Sequence, residues 1–279
     1  MRVENCSNIL FETVKVESGY LGRSVRVDLY RPARDFGGKL AQGSSERPSI
    51  LFINDGQDLE RLGLINMLED LYSRERIGGL LCVGIHAGPE RRMEYGTAGI
   101  VDYKGRGARA GQYSQFVLNE LLPLVCEWAG TDNFAEKAFA GFSLGALSAM
   151  DIVWSNPGEF SKAGLFSGSF WWRTKDKEDK TYRDDADRIM HRRVREGKYR
   201  PGLRFFFECG TEDEGEDRNG NGVIDSIDDT QDIIRELVAK GYEPGKDIWY
   251  LEIEGGRHDV ETWARAMPEF LEWGWGKKI

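Results

Sequence analysis

Six short apolar runs, each bounded by glycine or polar residues and separated by helix-like stretches, constrain this chain more than any other feature. They are SILFIND (49–55), LLCVGIHA (80–87), KAFAGF (137–142), KAGLFSGS (162–169), LRFFFECG (203–210) and DIWYLEIEGG (247–256). Continuous apolar runs of this length suit strands buried on both faces. The intervening patterns INMLEDLYSRE, YSQFVLNELLPLVCEWA, LGALSAMDIVWSN, TQDIIRELVAKG and VETWARAMPEFLEW read as amphipathic helices. Gly241 supplies the usual C-terminal stop to the fourth of them. Strands alternating with helices predict a mostly parallel sheet covered on both faces. Ahead of them, FETVKVES (11–18) and SVRVDLYRP (24–32) flank the turn GYLGR and predict an antiparallel hairpin at the sheet's edge. The expected architecture is an α/β fold with eight strands, and the 279 residues are expected to form one domain, 1–279. Residues 33–48 read as a surface loop.

Composition narrows the function classes. With 40% hydrophobic residues and 34 glycines the chain is globular, and no apolar run is long enough to span a membrane. The N-terminus lacks a basic start followed by an apolar stretch, so no secretory signal is read. A net charge of −9 argues against nucleic acid as the partner. Cys6, Cys82, Cys126 and Cys209 form no CxxC pair, and three lie in apolar segments. Reduced thiols and a cytoplasmic location are therefore expected. In 173–200, 18 of 28 residues are charged. Two readings stand level for this segment: a solvated loop and helix, or a lid over a site.

Gly141-Phe142-Ser143-Leu144-Gly145 matches G-x-S-x-G, and it sits between a buried-strand run and a helical pattern rich in small residues. That is the setting in which a serine occupies a sharp strand-to-helix turn, with glycines where side chains would clash. A hydroxyl needs a base to become nucleophilic. Of the three histidines, His86 reads as a core or strand-end residue and His191, in HRRVRE, as solvated. His258 follows the last strand and precedes a helix, so it is the expected base. An acid between serine and histidine in chain order should orient it. Thr211-Glu212-Asp213-Glu214 follows the strand LRFFFECG; Asp213 is the first choice, with Glu214 and then Glu212 as alternatives. An oxyanion hole is expected from the amides of Leu144 and of Gln57, the latter in the loop Asn54–Asp58.

Residues 217–228, DRNGNGVIDSID, approach the calcium-loop template D-x-[DN]-x-[DN]-G-x5-E. Asp217, Asn219 and Asn221 fill positions one, three and five, and Gly222 fills position six. Val223 offers a carbonyl at seven, Asp225 fills nine, and Asp228 replaces Glu at twelve. No helix enters the loop, so an EF-hand-like or dockerin-like insert is expected in preference to a true EF-hand. A structural Ca²⁺ stiffening the segment that carries Asp213 is expected, against the alternative of a metal-free polar turn. No cofactor is expected for catalysis.

The chain resembles the esterase D group of α/β-hydrolases, particularly enterochelin esterase-like (Fes-type) proteins and related carbohydrate esterases. The resemblance rests on Leu21–Arg23 (LGR), Asp55–Gln57 (DGQ), Arg92–Tyr95 (R-x-E-Y), Tyr113–Pro123, GFSLG, Ser167–Trp172 (SGSFWW) and Gly255–Trp263 (GGRHDVETW). It implies an α/β-hydrolase fold with Ser143, Asp213 and His258 as the triad and Gln57 and Leu144 as oxyanion donors. It also implies that Trp171 and Trp172 lie near the acyl or alcohol pocket. The expected function is serine carboxylic-ester hydrolysis on a small-molecule ester. A thioester hydrolase, an acyltransferase with the same triad, and a non-catalytic binding protein are the alternatives.

Overall fold

The computed structural model describes residues 4–5, 9–33 and 47–277. Cys6 and all but the ends of the 33–48 segment lie outside the described residues. The strands are β1 (Glu4–Asn5), β2 (Ile9–Ser18), β3 (Arg23–Pro32), β4 (Ser49–Asn54), β5 (Leu80–Ile85), β6 (Lys137–Phe142), β7 (Lys162–Phe166), β8 (Arg204–Glu212) and β9 (Ile248–Arg257). The helices are α1 (Leu59–Leu62), α2 (Leu64–Ser73), α3 (Arg91–Glu94), α4 (Ala110–Phe116), α5 (Leu122–Ala129), α6 (Leu144–Ser155), α7 (Asp184–Asp187), α8 (Ile189–Glu196), α9 (Asp225–Lys240) and α10 (Val260–Trp275).

One sheet has the order β1-β2-β3-β5-β4-β6-β7-β8-β9. The predicted hairpin is β2–β3, in continuous antiparallel register from Ile9↔Pro32 to Ser18↔Arg23. β3 runs antiparallel to β5, and from β5 onward every pairing is parallel. This is the α/β-hydrolase arrangement, with one addition: the two-residue β1 makes nine strands where the sequence predicts eight. The six apolar runs are the six parallel strands. Every residue of β4, β5 and β7 is buried, as a strand covered on both faces requires. β9 departs from that expectation: it is the edge strand, and Trp249, Glu252, Glu254 and Gly255 face solvent.

Two apolar cores flank the sheet. One packs α4, α5, α6, α8 and α9 against Val27, Phe52, Phe139 and Phe205; the other packs α1, α2 and α10 against Leu51, Ile53, Ala140 and Phe206. At about 1.5–3 kcal/mol per fully buried large side chain, these layers dominate the cohesion that holds the strand ends in place. α6 is not the amphipathic helix its sequence suggests. Every residue from Leu144 to Trp154 is buried, and Arg193 and Gly197 of the charged segment meet its Asp151 and Trp154.

Of the two readings of that segment, a solvated loop and helix or a lid, solvation holds for its exposed stretch 178–181 and not for its helix α8. Ile189, Met190 and Val194 of α8 enter the core. Arg188 pairs with Asp229 at 2.6 Å and Asp232 at 2.7 Å; Arg193 pairs with Asp151 and Arg195 with Glu236. Much of its charge therefore clamps α8 onto α6 and α9. His191, which the sequence suggests is solvated, is fully buried with Nε2 2.9 Å from the Asp229 carbonyl oxygen. Burial and the nearby Arg188 push its pKa down to about 3. No helix among the described residues is long and apolar enough to cross a membrane.

Candidate active site

The carboxyl ends of β4, β6, β7, β8 and β9 form one rim, and each carries a residue of the candidate site. β6 ends at Phe142, and Ser143 begins the turn into α6 with φ 56 and ψ −121. A non-glycine residue there is strained and persists only where its surroundings hold it. Two close approaches hold it. A Cβ on Gly141 would stand 2.4 Å from the backbone carbon and oxygen of Gly145, and one on Gly145 would stand 2.7 Å from Asp55 Oδ2. The Ser143 N–H donates to the Phe166 carbonyl at 2.8 Å, and its Oγ lies 3.4 Å from Ser169 Oγ.

Asp213 lies in the turn after β8 and is buried, whereas its neighbours Glu212 and Glu214 are exposed. Burial pushes its pKa up, opposed by the Ser167 hydroxyl and by His258. His258 is exposed at the rim, between β9 and α10. Partial burial of the ring lowers its pKa, and the Asp213 charge works against that shift while Arg91 adds to it. Asp213 and His258 thus each bear on the other's proton through their charges, while both Asp213 oxygens are buried with no hydrogen-bond partner among the described residues. The backbones carrying them interlock: a Cβ on Gly210 would stand 2.4 Å from the Gly256 carbonyl group. Just after His258, Asp259 caps α10 by accepting the Thr262 N–H at 2.9 Å, which fixes the loop. The Trp263 ring stacks on Phe142 at 4.8 Å and meets the His258 ring edge-on at 5.5 Å, so one indole joins the serine's strand to the base.

The amides chosen for the oxyanion hole lie at two helix starts. Leu144 is the first residue of α6, where a backbone N–H has no intrahelical acceptor. Gln57 follows Asp55, itself at φ 60, in a single 3₁₀ turn. The Gln57 side chain anchors that turn, accepting the Ala87 N–H at 3.0 Å.

Several residues that the sequence left without a role have one in this frame. Arg91 grips Asp55 through two hydrogen bonds of 2.6 and 2.7 Å. The Asp55 N–H donates to the Tyr95 hydroxyl at 3.2 Å. Asn54 receives the Tyr113 hydroxyl and donates to the Gly145 carbonyl at 2.8 Å, tying the Gln57 turn to the serine's helix. Arg23 and the fully buried Glu94 form a bidentate pair. Sequence reasoning gave Ser167, at φ 45, only as the first letter of a motif and passed over Glu208; a lone acid inside the apolar run LRFFFECG is the signal that would have found the latter. Of the two tryptophans, Trp171 is half-buried beneath Arg106 (5.2 Å), while Trp172 is fully enclosed against Gly96 and Gly107. His86 hydrogen-bonds with the buried Asp28 at 2.6 Å.

In the 217–228 loop, Asp217 accepts the N–H groups of Gly220, Asn221 and Gly222 at 2.8, 3.2 and 2.9 Å. Asn221 accepts the Val223 N–H at 2.7 Å. The side-chain amides of Asn219 and Asn221 both converge on one oxygen of Asp228, at 2.9 and 2.8 Å. Asp225 is taken by the Arg218 N–H and guanidinium, and the loop runs directly into α9. Among the described residues no three His, Cys, Asp or Glu side chains are grouped as a metal site. The donors here are two carboxylates and two carboxamides, an oxygen set suited to a hard cation.

A family model described as "Putative esterase" matches residues 18–273. The "Uncharacterized protein YbbA" of Bacillus subtilis (strain 168) is 26% identical over 234 residues, 81% of this chain and 85% of that protein. The enterobactin esterase FES of Shigella flexneri superposes with a TM-score of 0.71 at 20% identity, covering 94% of this chain and 57% of its own. This chain thus spans little more than half of the enterobactin esterases it matches. The siderophore hydrolase EstA of Aspergillus nidulans gives a TM-score of 0.67 at 15% identity, with 94% of both chains covered.

Proposed function

The chain belongs to the esterase family, and from that premise we propose that it hydrolyses carboxylic esters through a Ser143–His258–Asp213 triad and an acyl-enzyme. The observation that carries this reading is the shared rim: a strained serine at the end of β6 stands one indole away from an imidazole whose proton affinity Asp213 raises. His258 takes the Ser143 proton as the oxygen attacks the ester carbonyl. The developing oxyanion is met by the Leu144 and Gln57 amides, and His258 then protonates the leaving alcohol. Water, activated by the same imidazole, releases the acid. Asp213 orients the ring and stabilises the imidazolium throughout.

The test is hydrolysis of p-nitrophenyl acetate by the wild-type protein and by Ser143→Ala. Equal rates from two well-folded proteins would contradict the mechanism. The structural relatives named for enterobactin and siderophores suggest a substrate screen over aryl esters, short acyl esters and trilactones. The half-exposed Trp171, with Arg106 above it, offers a wall for a flat ester group.

We also propose that the 217–228 loop takes Ca²⁺ through Asp217, Asn219, Asn221, the Val223 carbonyl and Asp228. Their oxygens now accept the Asn221 and Val223 N–H groups, so binding requires both carboxamides to turn toward Asp228 at the loss of those two bonds. The ion would stiffen the connection between Asp213 and α9, with no part in the chemistry. Isothermal titration with CaCl₂ after chelation tests it, and absence of binding would remove it.

A further inference from the structure

Behind the acid–base pair lies a second carboxyl that the reaction above does not use. Glu208 of β8 is 1% exposed. Its Oε2 lies 3.5 Å from the Ser167 hydroxyl, and its Oε1 is buried with no hydrogen-bond partner among the described residues. Both carboxylate oxygens of Asp213 are in the same condition. Three buried carboxyl oxygens therefore lack a donor, and the Ser167 hydroxyl is the side-chain donor that bears on both acids. Ser167 already accepts the Trp263 indole N–H at 2.9 Å, so it has one proton to give. Its backbone N–H is spent on the Glu208 carbonyl at 2.8 Å.

This arrangement is short of donors and crowded with acids. Two carboxylates in one dry site do not both keep their charge. A proton on one of them supplies the missing donor and removes the repulsion. The deeper group is Glu208, since Asp213 is the one facing the imidazole. The charged groups that bear on Glu208 are Asp213, from the turn after β8, and Arg265, from α10. Burial first, and Asp213 second, push the Glu208 pKa up to about 8; Ser167 and Arg265 only moderate this.

We infer that Glu208 is a positioning residue of the triad: its carboxyl, held neutral, hydrogen-bonds in the Ser167–Asp213 cluster so that Asp213 alone is the anion behind His258. Trp263 completes the arrangement, since the same indole that donates to Ser167 packs against the His258 ring. Ionisation of Glu208 breaks the cluster and releases Asp213 from its orientation. The inference rests on the triad reading, and two readouts keep their failures apart.

The first readout is kcat and KM from about pH 5 to about pH 9.5 for wild type, Glu208→Gln and Glu208→Leu. Wild-type kcat falls with an inflection near pH 8. Gln keeps a donor and cannot ionise, so its profile lacks that inflection and it restores most of what Leu removes. Leu loses about tenfold in kcat at every pH with KM unchanged. The second readout is the histidine NMR titration, assignable because the chain has three histidines. The His258 resonance shows a second inflection near pH 8 in wild type and none in Glu208→Gln, whether or not any ester is turned over. An inflection that persists in Gln, or a folded Leu variant with wild-type kcat, overturns the inference. If Leu does not fold, the Gln comparison decides.

Discussion

The turn that carries Ser143 and the turn that carries Asp213 both leave the end of a parallel strand, yet they are built in different ways. The first is specified by close contacts at its glycines: Gly141 touches the backbone of Gly145, and Gly145 lies against Asp55, so both are demanded by contacts a Cβ would violate. The second offers three acids in a row, and burial alone separates Asp213 from Glu212 and Glu214. A nucleophile must be held in a backbone conformation that few sequences tolerate. An orienting acid need only be present at the right depth.

The sharpest break in that comparison comes from the reacting groups themselves. Ser143→Ala should lower kcat/KM by about 10⁴-fold or more, with an unchanged melting temperature, in an aryl acetate assay. Asp213→Asn should cost about 10³–10⁴-fold, because the amide no longer favours the productive His258 tautomer. Glu212→Gln and Glu214→Gln should stay within about twofold of wild type; a large loss at either would reassign the acid.

On the pH axis, the base must be neutral to act. Burial holds the His258 pKa below its ordinary value of 6.5. kcat/KM should therefore be flat through neutrality and fall about tenfold per unit only once the pH drops below that pKa. A limb centred above 6.5 would mean that Asp213 outweighs burial.

The backbone contrast has its own test. Gly141→Ala should destabilise by about 1–3 kcal/mol through its clash with Gly145, measured by urea denaturation. Gly215→Ala, just beyond Asp213 with open space at its Cβ position, should be neutral or gain up to about 1 kcal/mol. Equal effects would erase the distinction between the two turns. The smallest effect belongs to the calcium proposal: EGTA should lower the melting temperature by a few degrees and CaCl₂ restore it, with kcat little changed.

Legibility in the sequence followed the same divide. The β2–β3 hairpin and the six parallel strands are each present where the apolar runs lie, since a strand covered on both faces leaves an unbroken hydrophobic signature. β1 has only two residues, too few for any pattern. The periodicity of α6 suggested a half-exposed helix because its Ser148 and Asp151 are polar. Asp151 is in fact neutralised by Arg193, far along the chain. His191 was misread for the mirror reason: its charged neighbours pair with α9 and leave the ring in the core. The frame around the Gln57 turn, from Arg91 to Tyr113, carries no local signature beyond isolated motif letters, since each of its bonds joins residues 36 to 91 positions apart.

The chain's own order of residues was sufficient for the class of fold and for the serine turn, because period and glycine spacing are local constraints on the backbone. Tertiary structure alone decided which of the three acids is buried, that Glu208 and Ser167 stand beside it, and that charges of α8 clamp it onto α6 and α9. Burial, which sets both proton affinity and hydrogen-bond supply, is made by distant residues packing together and so has no expression along the chain.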